Sequence, residues 1–190
     1  MIKNITFKNA NISFSDIGKG TVVVLIHGFL ENSSMWNDIA PELSKKNRVI
    51  TIDLLGHGKS DCIGYVHSME LFSEAIQAVL KHLKIRKYIL AGHSLGGYVS
   101  LALAKINPSK IKGLCLLNST SNADSEELKT RRIRANKMVQ NNFENLVRMS
   151  FSNLFGVESR TTFSSEINLA LKEALKGKVA SEISKKTLAD

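Results

Sequence analysis

Cysteine is nearly absent from this 190-residue chain. Cys62 and Cys115 are the only two, and no disulfide framework can be built on them. Cys115 falls in an apolar strand pattern and reads as a small buried residue. No apolar run reaches the length of a membrane span, and the first residues lack the apolar core of a secretory signal. A cytoplasmic location without a membrane partner is therefore expected. The five histidines (His27, His57, His67, His82 and His93) are scattered, with no spaced His, Cys or carboxylate set that suggests a metal. A dinucleotide loop is missing too, because Gly56-His57-Gly58 lacks the third glycine and the helix start that such a loop needs. No cofactor is expected. Acidic residues are in deficit, 17 against 26 basic, for a net charge of +9. The excess is spread thinly, however: 14 basic and 8 acidic residues up to Ser119, then 12 and 9. The densest cluster, Arg131, Arg132, Arg134 and Lys137, lies on a helix-like stretch beside Glu126 and Glu127, as a solvated helix face would. Nucleic acid is not an expected partner.

What is present is an ordinary globular composition, 43% hydrophobic and 23% charged, long enough for one full domain with a core. Loose alternation from Ile2 to Asp16 around Asn9-Ala10-Asn11 predicts two antiparallel strands. Thr21–Ile26 is a continuous, mostly β-branched run, as expected for a strand buried on both faces. A helix from about Met35 to Leu43 and a buried strand from Arg48 to Leu54 follow. Met69, Phe72, Ile76, Val79, Leu80 and Leu83 then recur at helical spacing from about Ser68 to Leu83. A strand at Tyr88, a helix ending near Ile106 before Asn107-Pro108, and a buried strand at Ile111–Leu117 complete the alternation. Strands alternating with helices predict a mostly parallel sheet with helices on both faces, its active groups gathered at the strands' carboxyl ends. His27, His57 and Ser94 all fall there. Beyond Asn118 the pattern is helical. One stretch runs from Ala123 to about Asn153, carrying Ile133, Met138, Val139, Phe143, Leu146 and Val147, and a second runs from about Ser164 to Lys176. Residues 1–120 thus read as an α/β core and 121–190 as a helical region over it.

The chemistry is concentrated in Gly92-His93-Ser94-Leu95-Gly96, which follows a short apolar strand and opens a helix. A serine between strand and helix at such a turn is a nucleophile elbow: the strained backbone lifts Oγ clear, and flanking glycines let strand and helix approach. The helix N-terminus beyond it offers free N–H groups and a positive dipole end.

Three segments together, His27-Gly28-Phe29, Asp53-x-x-Gly56-His57-Gly58-x-Ser60 and Gly92-His93-Ser94-Leu95-Gly96-Gly97, resemble the α/β-hydrolase superfamily, in its compact esterase-like branch with a helical cap. The resemblance implies that Ser94 is the nucleophile and that the backbone N–H groups of Phe29 and Leu95 form the oxyanion hole. His27, Gly28, Gly92, His93 and Gly96 would shape the two loops. Asp53 and His57 would be hydrogen-bonding residues of their own loop. It implies hydrolysis of a carboxylic ester, thioester or related small acyl substrate through an acyl-enzyme, with a non-catalytic fragment binding apolar ligands as the alternative. The family places a triad acid and then a histidine after the nucleophile, yet no histidine follows Ser94, and Asp124 is the only tempting acid soon after the sixth strand. The family's last two strands and final helix are accordingly expected to be absent. Ile111–Leu117 would then form an exposed sheet edge through which the chain self-associates.

Overall fold

A computed structural model describes residues 2–64 and 66–176, with the backbone alone described at 136–142, 146, 150, 152 and 176. It divides into two compact units, Met1–Ser121 and Asn122–Asp190.

The first unit is built on six strands, β1 (Ile2–Phe7), β2 (Ala10–Gly18), β3 (Thr21–Ile26), β4 (Asn47–Ile52), β5 (Tyr88–His93) and β6 (Ile111–Leu117), in the order β1-β2-β4-β3-β5-β6. β2 runs antiparallel to both β1 and β4, and the remaining pairs are parallel. The hairpin turn is Lys8-Asn9 rather than the expected Asn9-Ala10-Asn11. Both turn residues take positive φ (46° and 65°) and Phe7 pairs with Ala10. A two-residue turn of this hand matches the twist of the strands it joins.

Period-two alternation gives β3 two buried faces. Val24 and Ile26 pack with α2 (Met69–His82) and α3 (Leu95–Ile106), through Phe72, Ile76, Val79, Val99 and Leu103. Val23 and Leu25 face the other way, onto Trp36 and Ala40. The single helix expected over Met35–Leu43 is instead a 3₁₀ turn at Ser33–Trp36 followed by α1 (Ile39–Ser44). Asn32 caps the turn, its Oδ1 accepting from the Ser34 N–H at 2.9 Å, and Pro41 occupies the first turn of α1, where no N–H is required. Ser68 caps α2 by accepting from the Leu71 N–H.

β6 is the exception to the buried-strand expectation. Among the described residues it pairs on one side only, and Leu114, Cys115 and Leu117 are exposed, so the expectation of a buried Cys115 is corrected. An apolar strand is covered only where something packs on both of its faces, and sequence pattern cannot supply that neighbour.

The second unit is helical: α4 (Glu126–Asn153), α5 (Val157–Thr162) and α6 (Ser164–Lys176). Ser125 caps α4, while α5 has no counterpart in the sequence pattern. Ion pairs at helical spacing, Lys129–Glu126 and Arg131–Glu127, account for part of the basic cluster as a solvated face. The side chains of Lys137, Met138, Val139 and Leu146, and residues 177–190 of the expected helical region, lie outside the described residues. Among the described residues no helix is long and apolar enough to cross a membrane.

Candidate active site

Parallel pairing sets Ile26 against Ile52 on one side and Gly92 on the other. The loops after β3, β4 and β5 therefore leave the sheet side by side at their carboxyl ends. Chain order reverses here, since β4 lies on one flank of β3 and β5 on the other, which opens a crevice between adjacent loops.

Ser94 sits between β5 and α3 with φ 48° and ψ −112°, a conformation that costs a non-glycine residue of the order of 1–3 kcal/mol. Its surroundings hold it there. The Ser94 N–H donates to the Leu117 carbonyl at 2.9 Å, and the Ser94 carbonyl accepts from the Gly97 N–H and from Ser119 Oγ, each at 2.9 Å. A Cβ at Gly92 would collide with the backbone of Gly96 and Gly97, and one at Gly96 with the carbonyls of Ile26 and His27. Both glycines are there for close approach. Ser94 Oγ has no hydrogen-bond partner among the described residues.

The loop after β3 is tied down at two places. His27 is fully buried; its Nδ1 donates to the Gly28 carbonyl at 2.7 Å and its Nε2 accepts from the Leu54 N–H at 2.9 Å. This fixes a neutral tautomer with no free lone pair, and burial lowers its pKa to about 3. Glu31 makes the second tie. Its Oε2 accepts from the Gly28 N–H at 2.6 Å and lies 2.9 Å from His93 Nδ1. The carboxylate raises the His93 pKa, favouring the imidazolium. Phe29, between the two ties, is exposed, with its ring edge-on to His57 at 6.0 Å between centroids. Its amide donates to no described residue.

The loop after β4 is an internal brace. Asp53 accepts from the Ser33 N–H at 2.7 Å and the Lys59 N–H at 2.9 Å, and Ser60 Oγ donates to the Asp53 carbonyl at 2.6 Å. Gly58 is required twice over, by its positive φ of 51° and by the Asp53 carboxylate beneath it.

A family profile for the alpha/beta hydrolase fold matches residues 21–183. The chain belongs to the α/β-hydrolase superfamily. It is 42% identical over 100 residues to the dihydrolipoyllysine-residue acetyltransferase component of the acetoin cleaving system of Pseudomonas putida, covering 53% of this chain and 27% of that protein. It is 34% identical over 112 residues to the pimeloyl-[acyl-carrier protein] methyl ester esterase of Nitrosomonas europaea, covering 58% and 42% respectively. The chain thus spans less than half the length of these curated relatives. A thermophilic esterase from Thermogutta terrifontis superposes with a TM-score of 0.85 at 27% identity, over 97% of this chain and 70% of that one.

The structure places His27, Gly28 and Phe29 on the loop after β3, Gly92 and His93 at the end of the adjacent β5, Ser94 at the turn, and Leu95 and Gly96 at the start of α3. Glu31 and Ser119 were not legible in the sequence. A lone acid or serine in a loop carries no spacing signal, and each meets a partner far away along the chain, the His93 side chain for Glu31 and the Ser94 carbonyl for Ser119.

A base for Ser94 is harder to find among the histidines. His27 has spent both nitrogens, His93 Nδ1 faces Glu31, and His67 Nε2 accepts from the Ile63 N–H at 3.0 Å. His82 lies in the last turn of α2. His57 donates from Nδ1 to the Leu55 carbonyl at 2.9 Å, and its buried Nε2 has no partner, so it keeps a lone pair. Burial lowers its pKa, however, which weakens it as a base. Asp124 is bound to Arg132 at 2.5 Å, inside the helical unit. Among the described residues no group of three or more His, Cys, Asp or Glu is placed to hold a metal ion.

Proposed function

We propose that Ser94 is the nucleophile of a hydrolase acting on a carboxylic ester, thioester or related small acyl substrate. The observation that carries this reading is the strained elbow, which puts a serine at the N-cap of α3, after a strand paired with β3, whose following loop carries a Phe29 amide with no acceptor among the described residues. Oγ attacks the acyl carbon and passes its proton to a base, and the leaving alcohol or thiol departs with a proton. Water then releases the acid from the acyl-enzyme. The N–H groups of Phe29 and Leu95 receive the developing oxyanion, each such donor typically contributing about 3 kcal/mol. Esterase relatives support this substrate class. Region 121–190 is taken as the family's cap region, in a cytoplasmic setting.

A second reading is favoured by Ser94 Oγ, which has no hydrogen-bond partner among the described residues: the chain binds apolar ligands without turning them over. Treating the folded chain with a fluorophosphonate decides between them. Stoichiometric labelling that disappears in Ser94→Ala shows a competent nucleophile, with His57 the first base to test. A folded chain that takes no label overturns self-sufficient catalysis.

A further inference from the structure

Glu31 is a carboxylate hydrogen-bonded to the peptide that precedes the Phe29 amide, while the reaction proposed for Ser94 builds negative charge beside that amide. An isolated carboxylate there would oppose the chemistry. It is not isolated, because His93, the residue before the nucleophile, lies 2.9 Å away, and both side chains are four-fifths shielded from solvent. A Cβ at Gly28 would lie 2.6 Å from Glu31 Oε2 and 3.0 Å from His93 Nδ1, so glycine is what admits the pair.

We propose that Glu31 and His93 form a positioning ion pair: Glu31 fixes the His27–Gly28 peptide, the one ahead of the Phe29 amide, and protonated His93 cancels its charge so that the oxyanion is not repelled. This rests on Ser94 being the nucleophile. The pair is net neutral while His93 carries its proton and −1 once it is lost. The hydrogen bond itself survives, because the neutral ring still donates from Nδ1. The other titratable groups within electrostatic reach, His27 for His93 and both His27 and His57 for Glu31, are held neutral by burial and do not compensate. Deprotonation of His93 therefore leaves the loop in place and turns its charge against the reaction.

The test measures the fluorophosphonate labelling rate against pH for the 190-residue chain and for Glu31→Gln, with the His93 ring titrated by NMR in both. Labelling of the native chain, taken relative to Glu31→Gln, is expected to fall at least tenfold as pH rises through the native chain's His93 midpoint, the effect of one unit charge within roughly 12 Å at an effective dielectric of about 20. His93→Gln keeps a donor for Glu31 but no charge, so its labelling should be low and independent of this midpoint. A ratio that stays flat while His93 titrates overturns the proposal. Hydrogen exchange at the Gly28 amide provides a readout free of the chemistry. A several-fold loss of protection in Glu31→Gln supports the pair even if no chain takes label, an outcome that would refute only the nucleophile. Unchanged protection with no labelling overturns the proposal.

Discussion

Acid should attack this fold first at His27. The ring is fully buried, donates to the Gly28 carbonyl and accepts from the Leu54 N–H, and its pKa is lowered to about 3 from the ordinary 6.5. The unfolded chain binds the proton near pH 6.5 and the folded chain does not, so the contribution is complete above 6.5 and lost as pH falls toward 3. Each pH step below 6.5 costs about 1.4 kcal/mol, or about 2 kcal/mol in all between roughly pH 7 and pH 5. That is a large share of a domain stability of about 5–15 kcal/mol. His57, lowered by burial, adds in the same direction. His93 acts in the opposite sense: its pKa is raised, so its contribution is complete below 6.5 and disappears only as pH rises through the raised value. Urea unfolding at constant ionic strength from about pH 7 to pH 5 measures the slope. His27→Gln, which keeps an acceptor near the Leu54 N–H, should flatten it. The decisive check is the NMR titration of the His27 ring in the folded chain. A midpoint between about 6 and 7 would refute the reasoning, because a ring with both nitrogens committed to backbone groups has nowhere to place a second proton.

Two further outcomes are expected. Ser94→Gly should raise stability by about 1 kcal/mol, since relief of the positive-φ strain outweighs the entropy glycine adds to the unfolded chain; a denaturant midpoint that falls would show the elbow to be unstrained. Leu114→Lys on the exposed edge strand should reduce any concentration-dependent association seen by sedimentation, because an edge lysine opposes strand-to-strand pairing between copies. Association unchanged by the substitution would rule out the β6 edge as the contact.

What the sequence determined by itself was whatever depends on local periodicity and short motifs. The β-branched run at Thr21–Ile26, the 3.6-residue rhythm of α2 and the glycines around Ser94 each constrain the backbone within a few residues, and all three appear where the pattern put them. The resemblance to the α/β-hydrolases rested on three motifs, at His27 to Phe29, Asp53 to Ser60 and Gly92 to Gly97, and the family profile over residues 21–183 shows it. Only the tertiary structure decided which side chains serve the site and which serve the scaffold. His27 and Asp53 carry site-like chemistry but spend it on the amides of Leu54, Ser33 and Lys59. Glu31, silent in the sequence, meets His93 across 62 positions of chain. Cys115 shows the same limit, since an apolar residue in a strand pattern is buried only if a neighbour covers it. Hydrogen bonds and burial of this kind are set by strand order and register, which bring distant loops together and leave no trace in the spacing of residues along the chain.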